Sequence, residues 1–221
     1  MGLVGCFGGM FIHLIIGSLY QWGIINIYIT SYYRTIDSNV TLESNAIAFP
    51  VMMLCIGLTM RLGLFLAQCT HPLILMAFVV IAQALFIFVS SYATAIGTFI
   101  VLYGVMFGLC SGLNFMVPLV ECNKYFPGRK MYVNGVVLTG TGLGSVVFGL
   151  FSYNFLNPMK VPPQKGYYLG TEMLKNISLK VPECLRWLSL LYLLIGLMGV
   201  FMIAYVCLEN RKAERARSDL K

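Results

Sequence analysis

Charge is what this chain of 221 residues has least of. Asp, Glu, Lys and Arg make up 10% of it, against 59% hydrophobic residues, and mean hydropathy is +0.83. Soluble domains run near one quarter charged and under half apolar, so the composition excludes one and implies an integral membrane protein. Chemistry-bearing residues are scarce as well. There are 8 acidic residues and 2 histidines, and no motif joins a nucleophile to its base, pairs two acids or gathers metal ligands, which argues against an enzyme. The 7 cysteines (Cys6, Cys55, Cys69, Cys110, Cys122, Cys184 and Cys207) are odd in number and lack a C-x-x-C pair, so neither a disulfide framework nor a zinc site is indicated. No cofactor or metal is expected. The net charge of +7 is no nucleic-acid footprint, because the basic residues sit in short loops and the tail and not on one face. The opening thirty residues lack the basic start of a signal peptide, and their apolar run is too long for one.

What remains is six apolar segments, at about 3–30, 46–68, 72–90, 93–119, 131–151 and 184–208. At ~1.5 Å per residue, about twenty residues cross the ~30 Å of bilayer hydrocarbon. In lipid each backbone N–H and C=O must be satisfied within its own segment, so each is read as a helix. The expected fold is an all-α polytopic membrane protein: a six-helix bundle over 1–208 and a basic cytosolic tail over 209–221. His71-Pro72 marks a tight turn, and the proline-containing stretch 152–183 reads as an irregular surface loop.

Orientation follows from Lys and Arg. One side holds Lys124, Arg129, Lys130 and the tail residues Arg211, Lys212, Arg215, Arg217 and Lys221; the other holds Arg34, Lys160, Lys165, Lys175, Lys180 and Arg186. The positive-inside rule therefore puts both termini in the cytosol. The sequons at Asn39 and Asn176 both fall on the opposite side.

The densest pattern runs from Tyr103 to Phe151: two glycine-studded segments around a loop with Glu121, Lys124, Arg129 and Lys130. Gly135, Gly140, Gly142 and Gly144 read as helix-packing glycines, since small residues let membrane helices approach closely. With Tyr103, Gly104, Gly108, Gly112, Pro118, Tyr125 and Phe126, this hairpin resembles helices four and five of the major facilitator superfamily. The similarity is greatest to its oxalate/formate antiporter and monocarboxylate porter branch. Tyr20, Trp22 and Gly23 in the first helix form a Y-x-W-G run that resembles the same branch. The stretch from Gly63 departs from the family, with Gln68, Cys69 and His71 where charges normally stand.

Polar groups at membrane depth are expensive and thus functional candidates. Arg61 in the second helix either faces a water-filled cavity, where its planar fork suits a carboxylate, or snorkels to the interface. Tyr20 stands with His13, Gly17 and Ile24 at helical spacing. Tyr103, Phe107, Cys110, Asn114 and Pro118 form a stripe on the fourth helix, and Asn134, Thr141 and Ser145 one on the fifth. Such stripes also arise from plain helix packing. The resemblance implies that helices one, two, four and five line a central path, with Tyr20, Arg61, Tyr103, Asn114 and Asn134 as substrate-path candidates. It also implies a secondary transporter of a small organic anion such as a monocarboxylate, present as one half of a twelve-helix fold. The alternative is a degenerate half serving as a structural or regulatory membrane subunit. Expected partners are the lipid bilayer, a small-molecule solute, and a second six-helix half or a homodimer mate; no nucleic acid is expected.

Overall fold

The computed structural model describes residues 2–218. Six helices are long and apolar enough to cross a membrane: α1 (Gly2–Arg34), α2 (Leu42–Cys69), α3 (Pro72–Ser90), α4 (Ile96–Asn123), α5 (Lys130–Leu156) and α6 (Glu172–Lys212). The described residues contain no strand beyond an isolated bridge between Gln164 and Tyr167. This is an all-α polytopic membrane protein.

Local chemistry sets the helix ends. Thr41 accepts from the Ser44 N–H while Ser44 Oγ accepts from the Thr41 N–H, a reciprocal cap that opens α2. His71 is extended and Pro72 opens α3, because a proline pushes the preceding residue out of helix and needs no partner for its own nitrogen. Between α4 and α5 the chain reverses through Gly128, whose φ of 84° suits glycine. Two helices are irregularly wound. α1 tightens to a 3-10 turn over Ser18–Gln21, and α4 widens to a π-helical stretch over Ile100–Met106.

The helix α1 is central, packing on α5, α6 and α4, while α2 packs on α4, and α3 on α6 and α4. Glycine makes the tightest seams. A Cβ at Gly17 would fall on the Thr141 carbonyl, one at Gly140 on the Met10 carbonyl and one at Gly144 on the Leu14 carbonyl. A second seam joins α2 to α4, where Gly63 meets Leu113 and Gly112 meets Thr59. Gly135 and Gly142 need correcting as packing glycines within this chain: nothing lies within 4 Å of a Cβ at either. Gly142 is about 200° round the helix from Gly140, as is Gly135, so both face away from α1.

The segment after α5 is more ordered than an irregular surface loop. Tyr168 is buried against Tyr28, with ring centroids 4.6 Å apart, and its N–H donates to Ser31 Oγ at 2.9 Å. The helical turns Glu172–Leu179 follow, capped by Thr171. These turns form the start of α6, and its continuous part runs from Val181 to Ser218 through much of the expected tail. Side chains beyond Lys212, including Arg215 and Arg217, and residues 219–221 lie outside the described residues.

Candidate functional site

The two irregular windings meet at a buried polar cluster. Gln21, in the tightened turn of α1, donates through Nε2 to Tyr192 Oη on α6 at 2.8 Å and to Tyr103 Oη in the π-helical stretch of α4 at 3.4 Å. Its Oε1 accepts from Ser152 Oγ on α5 at 3.1 Å. One amide thus joins four helices, and its donor and acceptor ends are both met, as a buried amide requires. Aromatic rings enclose the cluster. Trp22 and Phe99 lie 5.5 and 5.1 Å from Tyr103, Phe107 lies 5.9 Å from it, and Phe148 meets Tyr192 edge-on at 4.8 Å. Irregular winding in mid-helix is common at functional hinges and sites.

The substrate-path candidates do not converge on one pocket. Tyr103 is 1% exposed and belongs to this internal cluster. Asn114, also buried, donates to the Met76 carbonyl of α3 at 3.3 Å. The α4 stripe from Tyr103 to Pro118 therefore points into the bundle. Asn134 is half-buried and accepts from Asn123 at 2.9 Å, an amide pair between α4 and α5. Tyr20 and Arg61 are the two that remain open, on the outside of α1 and α2.

The surface around Tyr20 has its own form. Tyr20 touches Phe49 of α2, with centroids 6.1 Å apart, and four residues further along α1 the α5 residue Gly149 abuts Ile24. This part of α1 is therefore flanked by α2 on one side and α5 on the other. Gly57, Arg61 and Gln68 are all exposed on α2 and share one stripe at helical spacing. Gly135, Thr139 and Gly142 form the comparable exposed stripe of α5.

Gln21, Ser152 and Tyr192 were not among the sequence candidates. The available signal was Gln21 itself, an amide inside an uncharged apolar run; tyrosine and serine are too common in membrane helices to stand out. His13 is a further buried polar group, 5.1 Å from the Phe115 ring and without a hydrogen-bond partner on either ring nitrogen among the described residues. Among the same residues no three His, Cys, Asp or Glu side chains gather as metal ligands would.

Comparison with known proteins gives the context for these surfaces. No protein-family profile matches the chain. It is similar to "Apicoplast pyruvate carrier 1" of Toxoplasma gondii, with 24% identity over 91% of this chain and 45% of that protein. It is also similar to "Monocarboxylate transporter 14" of Mus musculus and of Homo sapiens, with 27% identity in each over 61% of this chain and 26% of theirs. The similarity is to carriers and transporters and not to enzymes, and the chain spans less than half the length of these curated relatives.

Proposed function

We propose that the chain is a six-helix half of a major-facilitator-type secondary transporter for a small monocarboxylate, with both ends in the cytosol. The observation that carries this is the outward face of α1, α2 and α5. It sets Arg61 and Thr139, inside apolar helices long enough to cross a membrane, beside Gly57, Gly135 and Gly142, which have open space around them, with Gln68 at the end of the same α2 stripe. Arg61 lies eight residues, roughly 12 Å, from the end of α2. Such a face is costly against lipid but suits a second helical unit packed on the glycines, with a watered path between the two. Two of the relatives are named as monocarboxylate transporters and one as a pyruvate carrier, which supports a small carboxylate as solute. In this reading Tyr20 and Arg61 line the path, Arg61 drawing the carboxylate through its planar fork. Asn134, Tyr103 and Asn114 hold its walls in place.

The test is pyruvate uptake per folded molecule in proteoliposomes holding the full assembly. Arg61→Gln should raise the KM for pyruvate about tenfold, and Arg61→Lys should restore it only in part, because the fork is lost. Equal service by lysine, or an unchanged KM in Arg61→Gln, takes Arg61 out of the path. A second reading, a non-transporting structural subunit, is favoured by the commitment of Tyr103 and Asn114 to internal packing. Absence of uptake with a second half supplied would select it.

A further inference from the structure

Away from the Tyr20 face, an open concavity of about 810 Å³ lies where the α2–α3 turn meets the ends of α4 and α6. Three parts of its wall show the same gradient. Ala67 leads to His71, Val120 to Lys124, and Cys207 to Arg211. On α4 and α6 four residues, about 6 Å of helix, separate an apolar side chain from a cationic one, and at the end of α2 the chain leaves the helix at Thr70 to present the His71 imidazole. The wall is thus apolar toward the middle of the membrane and basic at the rim.

The rim is pre-arranged. Arg211 Nη2 donates to His71 Nε2 at 3.2 Å, since a guanidinium has no acceptor; this orients the fork and leaves its other N–H groups to bond elsewhere. Lys124 spends one ammonium proton on Glu121 Oε1 at 2.6 Å, which neutralises the carboxylate in the wall. Tyr125 also lines the site. Burial lifts its phenol above the ordinary tyrosine pKa, helped by Cys207 beside it.

The geometry points to a binding site for the phosphate of an anionic phospholipid, held between Lys124 and Arg211 with an acyl chain along Ala67 and Val120. A phosphate has enough acceptor oxygens to meet two separate cations together. A free phosphate would use the rim alone, whereas the repeated step from apolar to basic matches an amphiphile crossing the membrane interface. None of Tyr20, Arg61 or Asn134 lines the site, and Gln68 is the one residue of the α2 stripe that stands on its wall.

The test measures the unfolding midpoint of the purified full-length chain in detergent during titration with phosphatidylinositol 4-phosphate, phosphatidylcholine or inorganic phosphate. The phosphoinositide should raise the midpoint saturably, and the other two should not at the same concentrations. Arg211→Gln and Lys124→Gln should each weaken the apparent affinity about fivefold, the equivalent of ~1 kcal/mol per basic residue at a membrane surface. Lys212→Gln is the control, because Lys212 pairs with Glu209 outside the concavity, and it should titrate as wild type. Each variant is compared with its own lipid-free midpoint, so a loss of stability does not mimic a loss of binding. An equal shift with phosphatidylcholine, or wild-type affinity in both variants, overturns the site. An equal shift with inorganic phosphate overturns the lipid.

Discussion

The helices α1 and α2 are nearly equal in hydropathy, yet 67% of the most apolar window of α1 lies inside the bundle against 28% of that of α2. Apolar character therefore did not decide which helix became central. Lipid is as apolar as a leucine side chain, so burying more hydrocarbon against another helix gains little in a membrane. What separates the two is what they offer a neighbour. α1 carries Gly5, Gly8, Gly9 and Gly17 on buried positions and Gln21 as a four-helix junction. α2 contributes one glycine of its own to a close contact, Gly63 against Leu113 of α4, and elsewhere shows Leu54, Leu58 and Phe65 outward.

The largest test of that contrast is Gly17→Leu on α1 against Gly57→Leu on α2. The first drives a side chain into the Thr141 backbone and should cost about 3 kcal/mol or more; the second meets open space and should stay within about 0.5 kcal/mol. Unfolding in detergent measures both, and equal losses would end the argument from close approach. Next in size is Gln21→Leu. It leaves the Tyr192 and Ser152 hydroxyls without their partner, at about 1–3 kcal/mol, whereas Tyr192→Phe removes one bond at about 0.6 kcal/mol. If the two variants unfolded together, Gln21 would be no junction. The smallest effect on the chain's own stability belongs to Gly142→Leu, within about 0.5 kcal/mol. The same substitution should block association with a second six-helix unit in co-purification, while Gly140→Leu should unfold the chain before assembly can be scored.

The membrane crossings were legible because a bilayer enforces length and internal hydrogen bonding on each segment. The roles of Gly140 and Gly144 were legible too, for small residues i and i+4 apart make a seam. Which way a glycine faces was not: Gly135 and Gly142 share the composition of that seam and look outward. Helical spacing grouped Tyr103 with Asn114 correctly but could not tell an inward stripe from a path-lining one, and both side chains turned out to have internal partners. The stretch after α5 was unreadable locally, because its order depends on a tyrosine more than a hundred residues earlier in the chain. Arg61 stood out in the sequence and stands open in the structure, the one charged candidate for the path.

The tightened turn of α1 also has an angular consequence. Four residues at three per turn advance about 80° further than they would at 3.6 per turn. The far part of α1 is thus set nearly a quarter-turn ahead of the part that carries His13 and Gly17. The offset makes α1 two separately aimed rods, one locked by glycine to α5 and the other aimed by Tyr28 at Tyr168. Restoring uniform winding would turn the second rod against the first and carry Tyr28 off its partner ring.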